Sequence, residues 1–296
     1  MNLTALLCAL GAALGFAISS PLQHHAAGSA PGGGGAFRLL GHLVRQPRWL
    51  VGQVLALISF CLHAYALHVG VLALVQPIVV SGIVFAVPIR AALSRHLPPR
   101  GEITAVVITA VGLATLLVSA GNMSNNGVPP NHVLALVLTV VLVALAATAY
   151  LLVGRAQTAA ARAGLCGITA GLLFGLVSCM VKLTLDLGQR GVPGPLSLWP
   201  VPTLVLLGLS GVAVNQRAYR LGALSASMPI LNIVNVGVAL TLGLLVFHEV
   251  PAHTPVALMG QFFALACICF GLVKLSAHAE IPQLEGHPEV AEVRNG

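Results

Sequence analysis

Asn232 and Asn235 stand three residues apart in the middle of GALSASMPILNIVNVGVALTLGLLVFHE, the stretch from Gly222 to Glu249. On a helix that spacing puts both amides on one face. An amide carries no charge, but it offers one acceptor oxygen and two donor hydrogens. Such groups read as part of a neutral hydrogen-bonding cavity suited to a polar or amphipathic metabolite. Gln76 and Ser81 lie in a second apolar stretch, Leu72–Ile89, and Asn215 lies beside Gln216 near the end of a third. Gln76, Ser81, Asn215, Asn232 and Asn235 are therefore the candidate substrate-binding set. Pro77 and Pro229 sit beside them. A proline lacks the N–H of the helical ladder and crowds the carbonyl four residues back, so both mark helix breaks at which a gate could work. The hydroxyls of Ser19, Ser20 and Ser178 read as helix packing, where an interhelical bond contributes about 0.6 kcal/mol.

Charged chemistry is sparse. Outside the last seventeen residues the acids are Glu102, Asp186 and Glu249, all at the ends of apolar runs. A magnesium ion asks for one or two carboxylates with retained waters, and no mid-membrane acid supplies them, so no metal-ligand set is assigned. Glu249 is expected to end its helix in water. Lys182 and Asp186, four apart, are expected to form a snorkelling surface couple. His63 and His68 have the chemistry of proton relays, with His68 placed at an interface. His24 and His25 lack a third metal ligand. Six cysteines lie inside apolar runs with no CxxC pair, the pattern of packing thiols. No Ser/His/Asp set and no HExxH motif occurs, so neither an enzyme nor a resident cofactor is expected.

The elements that must position these residues follow from composition. The chain of 296 residues is 57% hydrophobic and 7% charged, against roughly 25% charged in a soluble domain. That implies an all-α integral membrane protein. Nine apolar runs of spanning length can be read, near Leu3–Ser20, Leu50–Val69, Val71–Leu93, Ile103–Ala120, His132–Val153, Leu165–Leu185, Val201–Gln216, Ala223–Val246 and Thr254–Leu275. The first run has no basic residues before it and reads as a span, not as a cleaved signal peptide. Gly32–Gly35 lie in a loop with no preceding strand and no following Lys-Ser/Thr, which excludes a phosphate loop. The net charge of +7 resides in short loops and encodes topology, so nucleic acid is not an expected partner. With nine spans, twelve of the fourteen Lys and Arg residues fall on one side. The positive-inside rule then puts the N-terminus outside and the C-terminus in the cytoplasm of a cell-membrane protein. The segment 280–296 is expected to be disordered.

Internal similarity organises the runs. LGAALGFAISS at Leu10–Ser20 matches AGLLFGLVSCM at Ala170–Met180, and GVLALVQP at Gly70–Pro77 matches GALSASMP at Gly222–Pro229. RHLPPRGE after the third run echoes FHEVPAHT after the eighth. Residues 1–120 and 164–279 are thus predicted to be two inverted four-helix repeats, joined by a linking span within 121–163. Inverted repeats with proline-interrupted helices at equivalent positions point to a secondary transporter with its site at the repeat interface.

AISS at Ala17–Ser20, LALVQPIVVSGIVFAVPI at Leu72–Ile89 and NQRAYRLGALSASMPILNIVNVGVALTLGLLVFHE at Asn215–Glu249 resemble the drug/metabolite transporter superfamily. The nine-span NIPA-like branch is the most similar part of it. The resemblance implies a carrier working by alternating access on a small polar metabolite or cation, with NIPA-like Mg²⁺ transport as the alternative. A non-transporting scaffold or receptor is the reading of a different class. Oligomeric state is open, a homodimer included.

Overall fold

Lipid offers the backbone no hydrogen-bond partner, so a membrane-embedded chain closes its own bonds segment by segment, as helices do. The structure, a computed structural model, describes residues 3–28, 41–82, 84–85, 97–120, 128–190, 199–220 and 224–278. The described residues contain no strand. They form nine helices: α1 (Leu3–Gly28), α2 (Pro47–Val69), α3 (Leu72–Val80), α4 (Arg100–Ala120), α5 (His132–Val153), α6 (Ala159–Arg190), α7 (Pro200–Arg220), α8 (Leu224–Phe247) and α9 (Pro255–His278). The Gly32–Gly35 loop, the end of the expected third span over 86–93 and the segment 280–296 lie outside the described residues.

Among the described residues seven helices, α1, α2, α4, α5, α6, α8 and α9, are long and apolar enough to cross a membrane. The chain is an α-helical, multi-pass membrane protein. The remaining two, α3 and α7, fall at the third and seventh apolar stretches of the sequence. α3 has nine described residues. α7 carries Asn215, Gln216 and Arg217 toward its end, which shortens its apolar stretch. α8 continues through Pro229 to Phe247, so that proline does not end the helix.

α6 is the axis of the bundle. Of its apolar window 83% is buried inside the protein, against 22% for α5 and α9 and 50% for α8. α6 packs against α2, α5, α7 and α8. Its contact with α8 depends on Gly167, Gly171 and Gly175, which recur every four residues down one face. A Cβ at Gly171 would come within 2.7 Å of the Leu231 carbonyl oxygen, and one at Gly167 within 2.5 Å of the Ser227 carbonyl oxygen. Small residues at this spacing let helix backbones approach closely in a membrane.

Two sets of contacts define the ends of the bundle. At one end the Asn131 N–H donates to the Val246 carbonyl (2.9 Å) and the Ala252 N–H to the Ala120 carbonyl (3.2 Å). This gathers the end of α4, the start of α5 and the end of α8. At the other end Arg217 of α7 donates to the Tyr150 hydroxyl of α5 at 2.6 Å, with its guanidinium 5.1 Å from the ring centroid.

The close contact gives a paired prediction. Gly171→Ala should destabilise the protein by about 1–3 kcal/mol through overpacking. Gly188→Ala, on the same helix with nothing within 4 Å, should be neutral or stabilising by about 0.5–1 kcal/mol. Thermal unfolding of the purified protein in detergent reads both, and equal midpoints for the two variants would contradict the close-packing account.

Candidate functional site

Polar side chains in the interior of an apolar bundle find partners, and here they find each other. His63 of α2, Gln76 of α3 and Asn235 of α8 are all buried. The His63 Nε2 lies 3.1 Å from the Gln76 Oε1, and the Gln76 Nε2 donates to the Asn235 Oδ1 at 2.8 Å. An amide oxygen only accepts, so in this arrangement the His63 Nε2 carries the hydrogen. The relay runs in one direction, from α2 through α3 to α8. Gly175 of α6 helps set its α8 end, because a Cβ there would come within 3.3 Å of the Asn235 carbonyl oxygen and 2.6 Å of Val238.

A second polar cluster lies at the end of the bundle where α3 begins. The first N–H groups of any helix lack intrahelical acceptors. The N-cap of α3 is Val71, whose side chain cannot serve them. Glu249 does so from beyond α8: its Oε1 accepts from the Leu72 N–H at 2.8 Å and its Oε2 from the Ala73 N–H at 2.9 Å. A carboxylate at that point also meets the positive end of the helix dipole. Lys182 of α6 supplies the counter-charge, its Nζ 2.5 Å from the Glu249 Oε1. The same Nζ donates to the Gly70 carbonyl at 2.8 Å and lies 5.3 Å from the Phe247 ring centroid.

Local backbone geometry makes room for this carboxylate. His248 adopts a left-handed conformation, φ 55°, which turns the chain at the end of α8, and the Glu249 N–H bonds back to the Gly243 carbonyl at 3.0 Å. Gly243 has no Cβ, and one added there would stand 2.6 Å from the Glu249 Oε2. At the opposite end a neutral pair bridges α1 and α7. The Gln216 Nε2 donates to the Gln23 Oε1 at 2.9 Å, and the Gln23 Nε2 to the Gly52 carbonyl of α2 at 3.4 Å.

Of the residues singled out in the sequence, Gln76 and Asn235 are brought together directly. Asn232, one turn earlier on α8, is half-buried and outside the relay. Ser81 is buried and gives its hydroxyl to the Ile78 carbonyl of its own segment at 2.7 Å. Asn215 is half-buried, and its neighbour Gln216 makes the interhelical bond. Pro77 immediately follows the relay glutamine, whereas Pro229 lies well before Asn235. Ser19, Ser20 and Ser178 each bond a carbonyl one turn back in their own helices. Two expectations are corrected. Glu249 does not end its helix in water, being 1% exposed. Lys182 turns inward to Glu249 instead of lying at the surface with Asp186, and 13% of its side chain is exposed. The missed signal was Lys182 itself, since a lysine inside an apolar run requires a counter-charge. Gln23 was missed as well. Among the described residues no three or more His, Cys, Asp or Glu side chains form a group that could hold a metal ion.

Over 252 residues the chain is 31% identical to an uncharacterized protein of Corynebacterium glutamicum, an alignment that covers 84% of this chain and 86% of that protein. No family model matches the sequence. No solved structure matches it either.

The relay is testable without knowing a ligand. In a double-mutant cycle with Gln76→Leu and Asn235→Leu, thermal or denaturant unfolding should give a coupling of about 0.6–1.7 kcal/mol, the range of interhelical hydrogen bonds in membranes. Strictly additive losses would remove the bond from the account.

Proposed function

The chain belongs to one family with the uncharacterized Corynebacterium glutamicum protein, and from this multi-pass membrane frame we propose a secondary carrier for a small neutral polar metabolite. The observation that carries the proposal is the His63–Gln76–Asn235 relay. It crosses between α3 and α8, the two proline-bearing helices that the sequence repeat makes equivalent. Membrane carriers built from inverted repeats hold substrate at that interface. The resemblance to the drug/metabolite transporter superfamily points the same way.

Packing supports the repeat. If α1 to α4 correspond to α6 to α9, then α3 against α8 and α4 against α9 are each their own counterpart, and α1 against α7 exchanges with α2 against α6. All four contacts are present. α5 packs on α6 and α8, as a linking span can. In this reading residues 1–120 and 164–279 are the two halves of a nine-span carrier. Its N-terminus is outside and its C-terminus in the cytoplasm of the cell membrane, the side favoured by the basic loops.

The chemistry of the relay favours a neutral or weakly polar substrate over Mg²⁺. Two amides and an imidazole present directional donors and acceptors without charge. The Glu249 carboxylate is already committed to Lys182 and two backbone N–H groups, whereas magnesium is held through carboxylates and retained water.

Uptake into proteoliposomes, screened across amino acids, small organic cations and Mg²⁺, tests the reading. For the substrate found, Gln76→Ala and Asn235→Ala should each lower initial uptake about tenfold, equivalent to about 1.4 kcal/mol, and Asn232→Ala by less. Undiminished uptake in the Gln76/Asn235 double variant would place the substrate elsewhere.

A further inference from the structure

We propose that Lys182 and Glu249 together form the outer latch of this carrier, and that their grip on the Gly70–Ala73 backbone is made when the outer end is closed and parts when it opens. The proposal rests on the carrier reading above and adds the element that controls one of its two ends.

The pair joins what alternating access must separate. Glu249 and Lys182 belong to the second half, on the turn after α8 and on α6. The groups they hold, the Leu72 and Ala73 N–H and the Gly70 carbonyl, belong to the first half. Six polar atoms thus meet at one point across the boundary between the halves. The carboxylate is carried on the left-handed turn at His248, beyond the last residue of α8.

The energetics of a buried ion pair suit such a role. Closing the end removes both charges from water, a cost that largely cancels the attraction gained. The pair therefore closes the end specifically, through geometry and three charge-assisted bonds, without locking it.

The two ends are not alike. On the Pro77/Pro229 register the counterpart of Glu249 is Leu97, which is 93% exposed. In place of a charged latch, the opposite end has the neutral Gln23–Gln216 bridge between α1 and α7. Across the two halves the outer end is thus joined by a charged pair, and the inner end by the Gln23–Gln216 amides. The structure holds the outer end in its closed arrangement.

The protein contains its own reporter. Cys179 is fully buried on α6, one turn from Lys182, where opening of the outer end would uncover it. The experiment uses the full chain in membrane vesicles with Cys8, Cys61, Cys166, Cys267 and Cys269 replaced by alanine. A charged, membrane-impermeant methanethiosulfonate is added to the outer face. Labelling of Cys179 should be slow in this parent and about tenfold faster after Glu249→Gln. Gly243→Ala retains both charged residues and displaces the carboxylate, and it should accelerate labelling in the same way. Only protein that elutes as a monodisperse species is scored. Should Glu249→Gln not be recovered, Gly243→Ala carries the test.

A second reporter, Ser19→Cys near the inner end and labelled from the cytoplasmic face, separates a latch from a structural staple. Cutting the latch should slow its labelling as the inner end closes. Unchanged Cys179 labelling in the variants overturns the latch. So does faster Cys179 labelling with no slowing at Ser19→Cys, because the outer end has then merely come apart. Reciprocal labelling in a protein that takes up no solute in proteoliposomes would leave the latch standing and remove the carrier reading.

Discussion

A bilayer interior contains no water to complete a hydrogen bond, and in this protein that constraint falls hardest on α3. The described helix is short, begins behind a valine and loses one further N–H at Pro77. Its first N–H groups and its glutamine are met from elsewhere in the fold. Glu249 supplies acceptors for its first two N–H groups, and Gln76 is held between His63 and Asn235. At its far end the Ser81 N–H bonds to the Pro77 carbonyl. An interrupted segment of this kind persists in lipid only where protein surrounds it. All nine of its residues are buried, which meets that condition.

The same constraint explains the position of α6. A helix with glycine every fourth residue can lie against α8 at backbone distance, and that proximity fixes where Asn235 projects. Lys182 is on the same helix, so one element orients both the central relay and the charged cluster at the end of the bundle. Lipid-facing helices such as α5 and α9 have far less of their surface inside the protein, and they tolerate a nearly uninterrupted apolar sequence.

Much of the helical architecture was legible in the sequence because hydropathy is a local property: a run of apolar residues long enough to span is visible without knowledge of its neighbours. Gln76 and Asn235 were also legible, since an amide within such a run needs a protein partner. That they serve each other was not. With Pro77 aligned on Pro229, Asn235 falls against Ile83 and Gln76 against Met228; a register aligns equivalent positions and does not report which residues touch across the axis. Glu249 was misread for a related reason. Its distance from the end of an apolar run suggested water. Its burial depends on the missing Cβ of Gly243, the turn at His248 and a lysine on another helix. Which of Asn215 and Gln216 makes the interhelical bond was not legible either. Adjacent residues on a helix point about 100° apart, and only the packing of α1 against α7 reveals which one faces inward.

The bonds between Glu249 and the start of α3 join positions 177 and 176 residues apart. This separation bears on how the protein is made. A ribosome delivers α3 long before it reaches residue 249, and synthesis must pass through five further helices before the carboxylate exists. During that interval the first N–H groups of α3 have neither a side-chain cap of their own nor the cap they will finally have. The insertion machinery, lipid headgroups or the aqueous vestibule must host that helix end in the nascent chain. The finished bundle is therefore closed from its C-terminal half, and a polypeptide released before residue 249 would hold every residue of α3 and lack the group that completes it.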